Sequence, residues 1–463
     1  MKLSKKFAVG LATTALVGSL GISAASAATI VAGGATFPLN LMESCRASFA
    51  GDSTANAAGH RVDYTGVGSG TGRSNFFKGD YKFAMSDSLY KTSDTSYRTS
   101  FVFMPLIAGA INVAYRLDGV KPAGTVLQMS SATVAKIFAG QIKTWNDASI
   151  KADNPVAAQP KLLGLNGQVK FTLAKGKKAT QALLTSTLTS KAVTSKTKNL
   201  IITSSIDGGK TVKKIYNKKP KAGKFTLTVP YAKGTVYSVT LDRALVGTVS
   251  LDATSVILPD TPITVYKRKE TSGTTNNFAN YLNKTQPTIW TKATNDAFDS
   301  AFPGTVPTDG SFVAAQGNDG VANGIMGKDG GIGYAEVSFV NERQTAGKPI
   351  VSAKIKNGAG EFIAGSSAGA SLAVGAAAVD SATGIVTFNY DNTVTGAYPI
   401  TAISYGMANT AAYGTSADNA IAKSYVNYVL DTCAPEVAEI KGYSALPASL
   451  VTISKAIAAK IGA

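Results

Sequence analysis

Apolar residues recur at helical spacing near both ends of the chain, as Leu41, Cys45 and Phe49 and again as Ala422, Val426, Val429 and Cys433. A third stripe, Phe278 and Leu282, follows Thr274. Other apolar runs are short and stop at turn residues. Arg61-Val62-Asp63-Tyr64, Phe83-Ala84-Met85 and Ile263-Thr264-Val265-Tyr266 each lead into a Gly/Ser/Thr/Asp turn. Strand, turn and helix in that order predict an α/β architecture, in which ligands sit beyond the carboxyl ends of strands. Between 161 and 257 the period changes to two, as in Lys224-Phe225-Thr226-Leu227-Thr228-Val229 and Thr235-Val236-Tyr237-Ser238-Val239. Turns such as Lys175-Gly176-Lys177-Lys178 and Asp207-Gly208-Gly209-Lys210 punctuate it, so this segment is predicted to form a separate small all-β sandwich of immunoglobulin-like type.

The first residues follow another pattern. Lys2, Lys5 and Lys6 precede an apolar run at 7–22, and Ala25-Ser26-Ala27 closes it. This order predicts a signal peptide over 1–27, cleaved near Ala27, and a mature protein outside the cytoplasm, periplasmic or secreted. A membrane anchor is the competing reading, but the run is short and ends in small residues. No later stretch is apolar for long enough to span a bilayer.

Composition narrows the chemistry. Of 463 residues, one is histidine, His60, and two are cysteines, Cys45 and Cys433. Zinc sites built on Cys or His, and reactions that need two imidazoles, are excluded. His60 lies in a Gly-His-Arg loop and reads as a solvated surface residue. The two cysteines are either buried thiols on separate helices or a disulfide joining the two ends of the mature chain. The formal charge of +18 is concentrated in one place, because residues 161–258 carry 17 Lys/Arg against 3 Asp/Glu. Those lysines are either a solvated surface or a contact for anionic envelope material. No nucleic-acid motif accompanies them.

Four turns share one chemistry: Gly34-Ala35-Thr36-Phe37-Pro38, Gly66-Val67-Gly68-Ser69-Gly70-Thr71-Gly72, Ser86-Asp87-Ser88, and Arg268-Lys269-Glu270-Thr271-Ser272-Gly273-Thr274. Helix N-termini offer free N–H groups and partial positive charge, Ser and Thr add hydroxyl donors, and Gly lets the backbone come close. Together they suit an oxyanion, and Arg268 can add a bidentate guanidinium. Each turn alone is common, and the glycine run does not match a dinucleotide fingerprint.

As an ordered set these turns resemble the phosphate-binding proteins of bacterial high-affinity phosphate ABC transporters, the PstS family. The matching elements are Ala32-Gly33-Gly34-Ala35-Thr36-Phe37-Pro38, Gly66-Val67-Gly68-Ser69, Ala84-Met85-Ser86-Asp87 and Arg268 to Thr274. Weaker echoes include Gly317-Asn318-Asp319-Gly320-Val321, Gly331-Ile332-Gly333-Tyr334 and Tyr443-Ser444-Ala445-Leu446-Pro447. The resemblance implies a two-lobed periplasmic-binding-protein fold of type II, with 28–107 plus 396–463 as lobe one and 108–160 plus 258–395 as lobe two. The β-sandwich at 161–257 is an insertion. The implied phosphate ligands are Thr36, the Phe37 backbone, Ser69, Asp87, Arg268, Ser272, the Gly273 backbone and Thr274. Glu270 replaces the family's aspartate as the brace of Arg268. The implied partners are inorganic phosphate, with arsenate competing, and a membrane permease with its ATPase; no cofactor is expected, and the protein is expected to be monomeric and not an enzyme.

Two other classes stay open at this point. A phosphatase would use Ser69 as nucleophile and release product from a phosphomonoester. A cell-envelope or surface protein that kept the fold would work through the basic insert, binding anionic polymers.

Overall fold

The computed structural model describes residues 27–463 except 92, 95–98, 122, 157, 166, 207–210, 243 and 253, together with the side chains of 254 and 255. All but the last residue of the expected signal peptide, and the turn Asp207-Gly208-Gly209-Lys210, lie outside the described residues.

The body is organised around one nine-stranded sheet. Its axis is the strand Phe101–Tyr115, which is buried along nearly its whole length and belongs to two half-sheets. Residues 101–110 pair antiparallel with Thr401–Asn409, beyond which lie Phe83–Ser86, Thr29–Gly34 and Arg61–Gly66. Residues 111–115 pair antiparallel with Gly331–Glu336, followed by Thr264–Arg268 and Phe312–Ala315. Within each half the outer strands are parallel, so their carboxyl ends point the same way. Helices follow these strands, as the stripes predict. Leu39–Gly51 buries Leu41, Met42, Cys45 and Phe49. Gly273–Thr285 buries Phe278 and Leu282. The C-terminal stripe starts on Ser416–Tyr428 and continues through one wider helical turn, Val429–Cys433, which carries Cys433 to Cys45. The two are joined in a disulfide with a Cα separation of 5.5 Å.

The insert has two four-stranded antiparallel sheets. One runs Lys213–Lys218, Leu200–Ser205, Val236–Leu241, Ala244–Ser250, and the other Gly223–Pro230, Gln181–Leu188, Val169–Lys175, Lys161–Gly164. Inward residues such as Phe171, Leu184, Ile202, Tyr237 and Val249 form a core separate from that of the body. A two-residue ladder, Pro155–Val156 with Thr254–Ser255, closes the neck. Val256 and Leu258 already belong to the body's core. No helix among the described residues is long and apolar enough to cross a membrane.

Candidate anion-binding site

The four turns lie at the carboxyl ends of strands from both half-sheets. Thr36 and Phe37 follow Thr29–Gly34, Ser69 opens a helix just after Arg61–Gly66, Asp87 follows Phe83–Ser86, and Arg268 ends Thr264–Arg268. Gly68 makes the second turn possible: its φ of 93° is one that L side chains rarely adopt. No side chain caps the helix Ser69–Lys78, which leaves its first N–H groups to other partners.

Hydrogen bonds tie the pieces together. Arg268 donates through Nη2 to Thr36 Oγ1 at 2.8 Å and through Nη1 to Thr274 Oγ1 at 3.3 Å. Thr274 Oγ1 and Ser69 Oγ lie 3.5 and 3.4 Å from Asp87 Oδ2. The Asp87 N–H donates to Ser69 Oγ at 3.1 Å. Thr36, Ser69, Asp87, Arg268 and Thr274, which span 239 positions of sequence, therefore form one cluster, and none is more than 5% exposed. Gly273 fits only because it has no side chain: a Cβ would come within 2.5 Å of Ser69 Oγ and 2.7 Å of Asp87 Cβ. Ser272 caps the helix Gly273–Thr285, its oxygen accepting from the Thr275 N–H at 3.2 Å, so its own proton is left to donate. The ring of Phe37 is in the core, edge-on to Tyr443, and the Phe37 carbonyl accepts from the Tyr443 hydroxyl at 2.7 Å. The contribution of Phe37 to the turn is thus its backbone. Glu270 accepts from Arg268 Nε at 2.7 Å and from Nη2, and its carboxylate also takes the Gly317 N–H. The guanidinium is held on one edge and presents the other.

Two of the buried carboxyls of this region, Asp87 and Glu336, are shifted upward. Burial pushes Asp87 up to about 7, against the lowering effect of Ser404, Arg268 and Ser69, while Asp296 adds to the rise. Burial likewise pushes Glu336 up to about 8, against hydrogen bonds from Ser338. Asp87 faces hydroxyl donors on both oxygens, since Ser404 Oγ donates to Oδ1 at 2.8 Å.

Several residues here carried little sequence signal. Ser404 lies mid-strand in Thr401–Asn409 with no motif around it. Asn318, inside a recognised but weak element, donates to Thr36 Oγ1 at 3.0 Å. Arg73 and Asp296 form a buried ion pair of 2.6 Å. His60 departs from expectation. It is half-buried rather than solvated, and its Nδ1 accepts from the Ala28 N–H at 3.0 Å, because the strand Thr29–Gly34 begins beside it.

The fold that carries these turns has counterparts among known proteins. A family model described as the PBP superfamily domain matches residues 22–248 and 243–432. The chain belongs to the PBP superfamily. It is 30% identical over 136 residues to the phosphate-binding protein PstS of Haemophilus influenzae, covering 29% of this chain and 38% of that one. It is 22% identical over 349 residues to PstS of Xylella fastidiosa, covering 75% and 64%. The chain thus spans between about two fifths and two thirds of the length of these two relatives. Among solved structures, a high-affinity periplasmic phosphate-binding protein, PfluDING, bound with phosphate, superposes with a TM-score of 0.57 at 19% identity, covering 92% and 93% of the two chains. The phosphate-binding protein of Stenotrophomonas maltophilia gives 0.53 at 16%, with the same coverage. The fold of this superfamily member is therefore the two-lobed, type II periplasmic-binding fold.

Proposed function

We propose that the protein is an extracytoplasmic solute-binding protein that captures inorganic phosphate between its lobes and delivers it to an ABC permease. The observation that carries the reading is a single buried acceptor, Asp87, set among the donors Thr36, Ser69, Arg268, Ser272 and Thr274 and the backbone of Phe37 and Gly273. Phosphate near neutral pH still carries a proton to give to a carboxylate. Sulfate has none and, once Asp87 is ionised above about pH 7, would set lone pairs and like charge against it. Arsenate, with phosphate's charge and protonation, competes. A phosphatase reading finds no imidazole to activate Ser69, because the chain's histidine is engaged with Ala28. We assign 28–107 with 396–463 to one lobe, 108–160 with 258–395 to the other and 161–257 to the insert, in a monomer exported by the signal peptide.

A second reading concerns the insert alone. Every described lysine of the insert is exposed, and no ion pair among the described residues involves one. Unpaired cations on one module suit anionic envelope polymer. Calorimetry of the purified mature protein with phosphate, sulfate and arsenate tests the main reading. Phosphate and arsenate should bind and sulfate should not. Equal binding of sulfate, or no binding of phosphate, refutes it.

A further inference from the structure

Arg73 is the other fully engaged guanidinium near the site, and nothing in the phosphate reading uses it. It lies one turn along the helix that Ser69 opens. Its Nη1 donates to the hydroxyls of Ser86, at 2.9 Å, and Ser88, at 2.6 Å, the two residues that flank Asp87. Its Nε donates to Asp94 at 3.1 Å. Its Nη2 crosses to Asp296 Oδ2 at 2.6 Å. Asp296 comes from the other half of the molecule, between the helices Gly273–Thr285 and Phe298–Ala301. Its second oxygen accepts from Asn276 Nδ2 at 2.8 Å, and its carbonyl accepts from the Ser272 N–H at 2.9 Å. One ion pair therefore joins the turn that carries Asp87 to the helix cap that carries Ser272, Gly273 and Thr274. Two further bonds cross beside it, Gly70 N–H to the Thr271 carbonyl at 3.3 Å and Asn277 Nδ2 to the Asp87 carbonyl at 2.6 Å.

We propose that Arg73 and Asp296 are positioning residues that form a lobe-to-lobe clasp, made only when the cleft is shut, which sets the rate at which the bound anion leaves. The physical reason is an asymmetry between the two states. When the lobes part, Arg73 keeps Ser86, Ser88 and Asp94, all on its own side. Asp296 keeps Asn276 and loses its cation. The pair therefore contributes to the closed state and not to the open one. Both side chains are almost fully buried when paired, so water screens the attraction little. Each partner also holds a wall of the anion cluster, so closure and alignment of the ligands occur together. Anion capture in the cleft is the reading on which the kinetic part of this inference rests.

The test compares the full mature chain with Asp296→Asn, Arg73→Gln and Arg73→Lys. Stopped-flow measurement with inorganic phosphate gives association and dissociation rates, and small-angle scattering of the ligand-free protein gives the radius of gyration. The clasp requires dissociation to rise by about 10- to 150-fold in Asp296→Asn, the range for loss of a charged hydrogen bond, while association changes little. Arg73→Lys, which keeps the charge but not the fork, should fall between the wild type and Arg73→Gln. The radius of gyration should grow in the variants. If Arg73→Gln fails to fold, Asp296→Asn, nearly equal in shape, decides alone. Unchanged dissociation and an unchanged radius in Asp296→Asn overturn the clasp. If the wild type binds no phosphate, the functional reading falls, and the radius of gyration still decides whether the lobes are clasped.

Discussion

Replacing Asp87 by Asn keeps the shape of the site and changes its sign. Ser404 can still donate to the amide oxygen, and the new Nδ2 faces Ser69 Oγ and Thr274 Oγ1, both able to accept. Two magnitudes follow. The first concerns selectivity. Sulfate is freed from a buried like charge and gains a donor, while phosphate loses its best acceptor but keeps the amide oxygen. The cost of a mispaired buried polar group is about 1–3 kcal/mol, so the phosphate-to-sulfate affinity ratio should fall by about 5- to 150-fold in competition titrations. The second concerns the ligand-free protein. Asp87 is raised from 3.8 to about 7 in the folded state, so between those values the folded chain binds more protons than the unfolded one. Stability is then fully present below pH ~4 and is lost as pH rises through ~7, by about 4 kcal/mol for a shift of this size. The Asn variant lacks this loss, while the contribution of Glu336 remains in both. Denaturant unfolding of the two proteins at pH 5 and pH 8 should show the variant gaining on the wild type at the higher pH. An unchanged anion ratio would place discrimination elsewhere in the cleft, and parallel pH profiles would remove Asp87 as the strained group.

Arg268→Ala removes the donors to Thr36 and Thr274 and leaves the partly buried Glu270 without its cation, so phosphate affinity measured by calorimetry should weaken by at least ~1.5–3 kcal/mol; an unchanged affinity would mean that the site is elsewhere. The double variant Cys45→Ser/Cys433→Ser should unfold at lower denaturant, with about 2–5 kcal/mol lost, and the denatured, non-reduced wild type should take up no thiol label. Two labelled cysteines would contradict the bond. Removing 161–250 and closing the gap with a short turn at the neck should leave phosphate affinity nearly intact, because the insert has its own core, and should abolish salt-sensitive retention on anionic envelope polymer. A truncated protein that folds but does not bind phosphate would place the insert in the site.

What the chain discloses by itself is local. The stripe of Leu41, Cys45 and Phe49, the turns after short strands and the change of period at 161 all follow from spacing of 3.6 or 2, and each corresponds to an element of the structure. The four turns of the candidate site are legible only as an ordered set, because each alone reads as an ordinary turn or helix cap. The groups that complete the site are not legible, because what matters about them is a partner far along the chain. Ser404 meets Asp87 across 317 positions, and Arg73 meets Asp296 across 223. A serine inside a strand and an arginine inside a helix look like any others until the sheet is assembled. His60 misleads for the same reason: its partner is the N–H of Ala28, 32 positions before it.

The bond between Cys45 and Cys433 also says something about how the molecule comes into being. Two cysteines admit one intramolecular pairing, so the chain cannot be scrambled and needs no isomerase to correct it. The first thiol must nevertheless wait for the second, since 388 positions separate them. At synthesis rates of about 5–20 residues per second, that interval is roughly 20–80 s. During it Cys45 is a lone nucleophile, because part of what covers it in the folded protein, the helix Ser416–Tyr428 and the turn Val429–Cys433, has yet to be made. Oxidation is then among the last events of maturation, and it locks the end of the chain onto its beginning only after everything between has emerged.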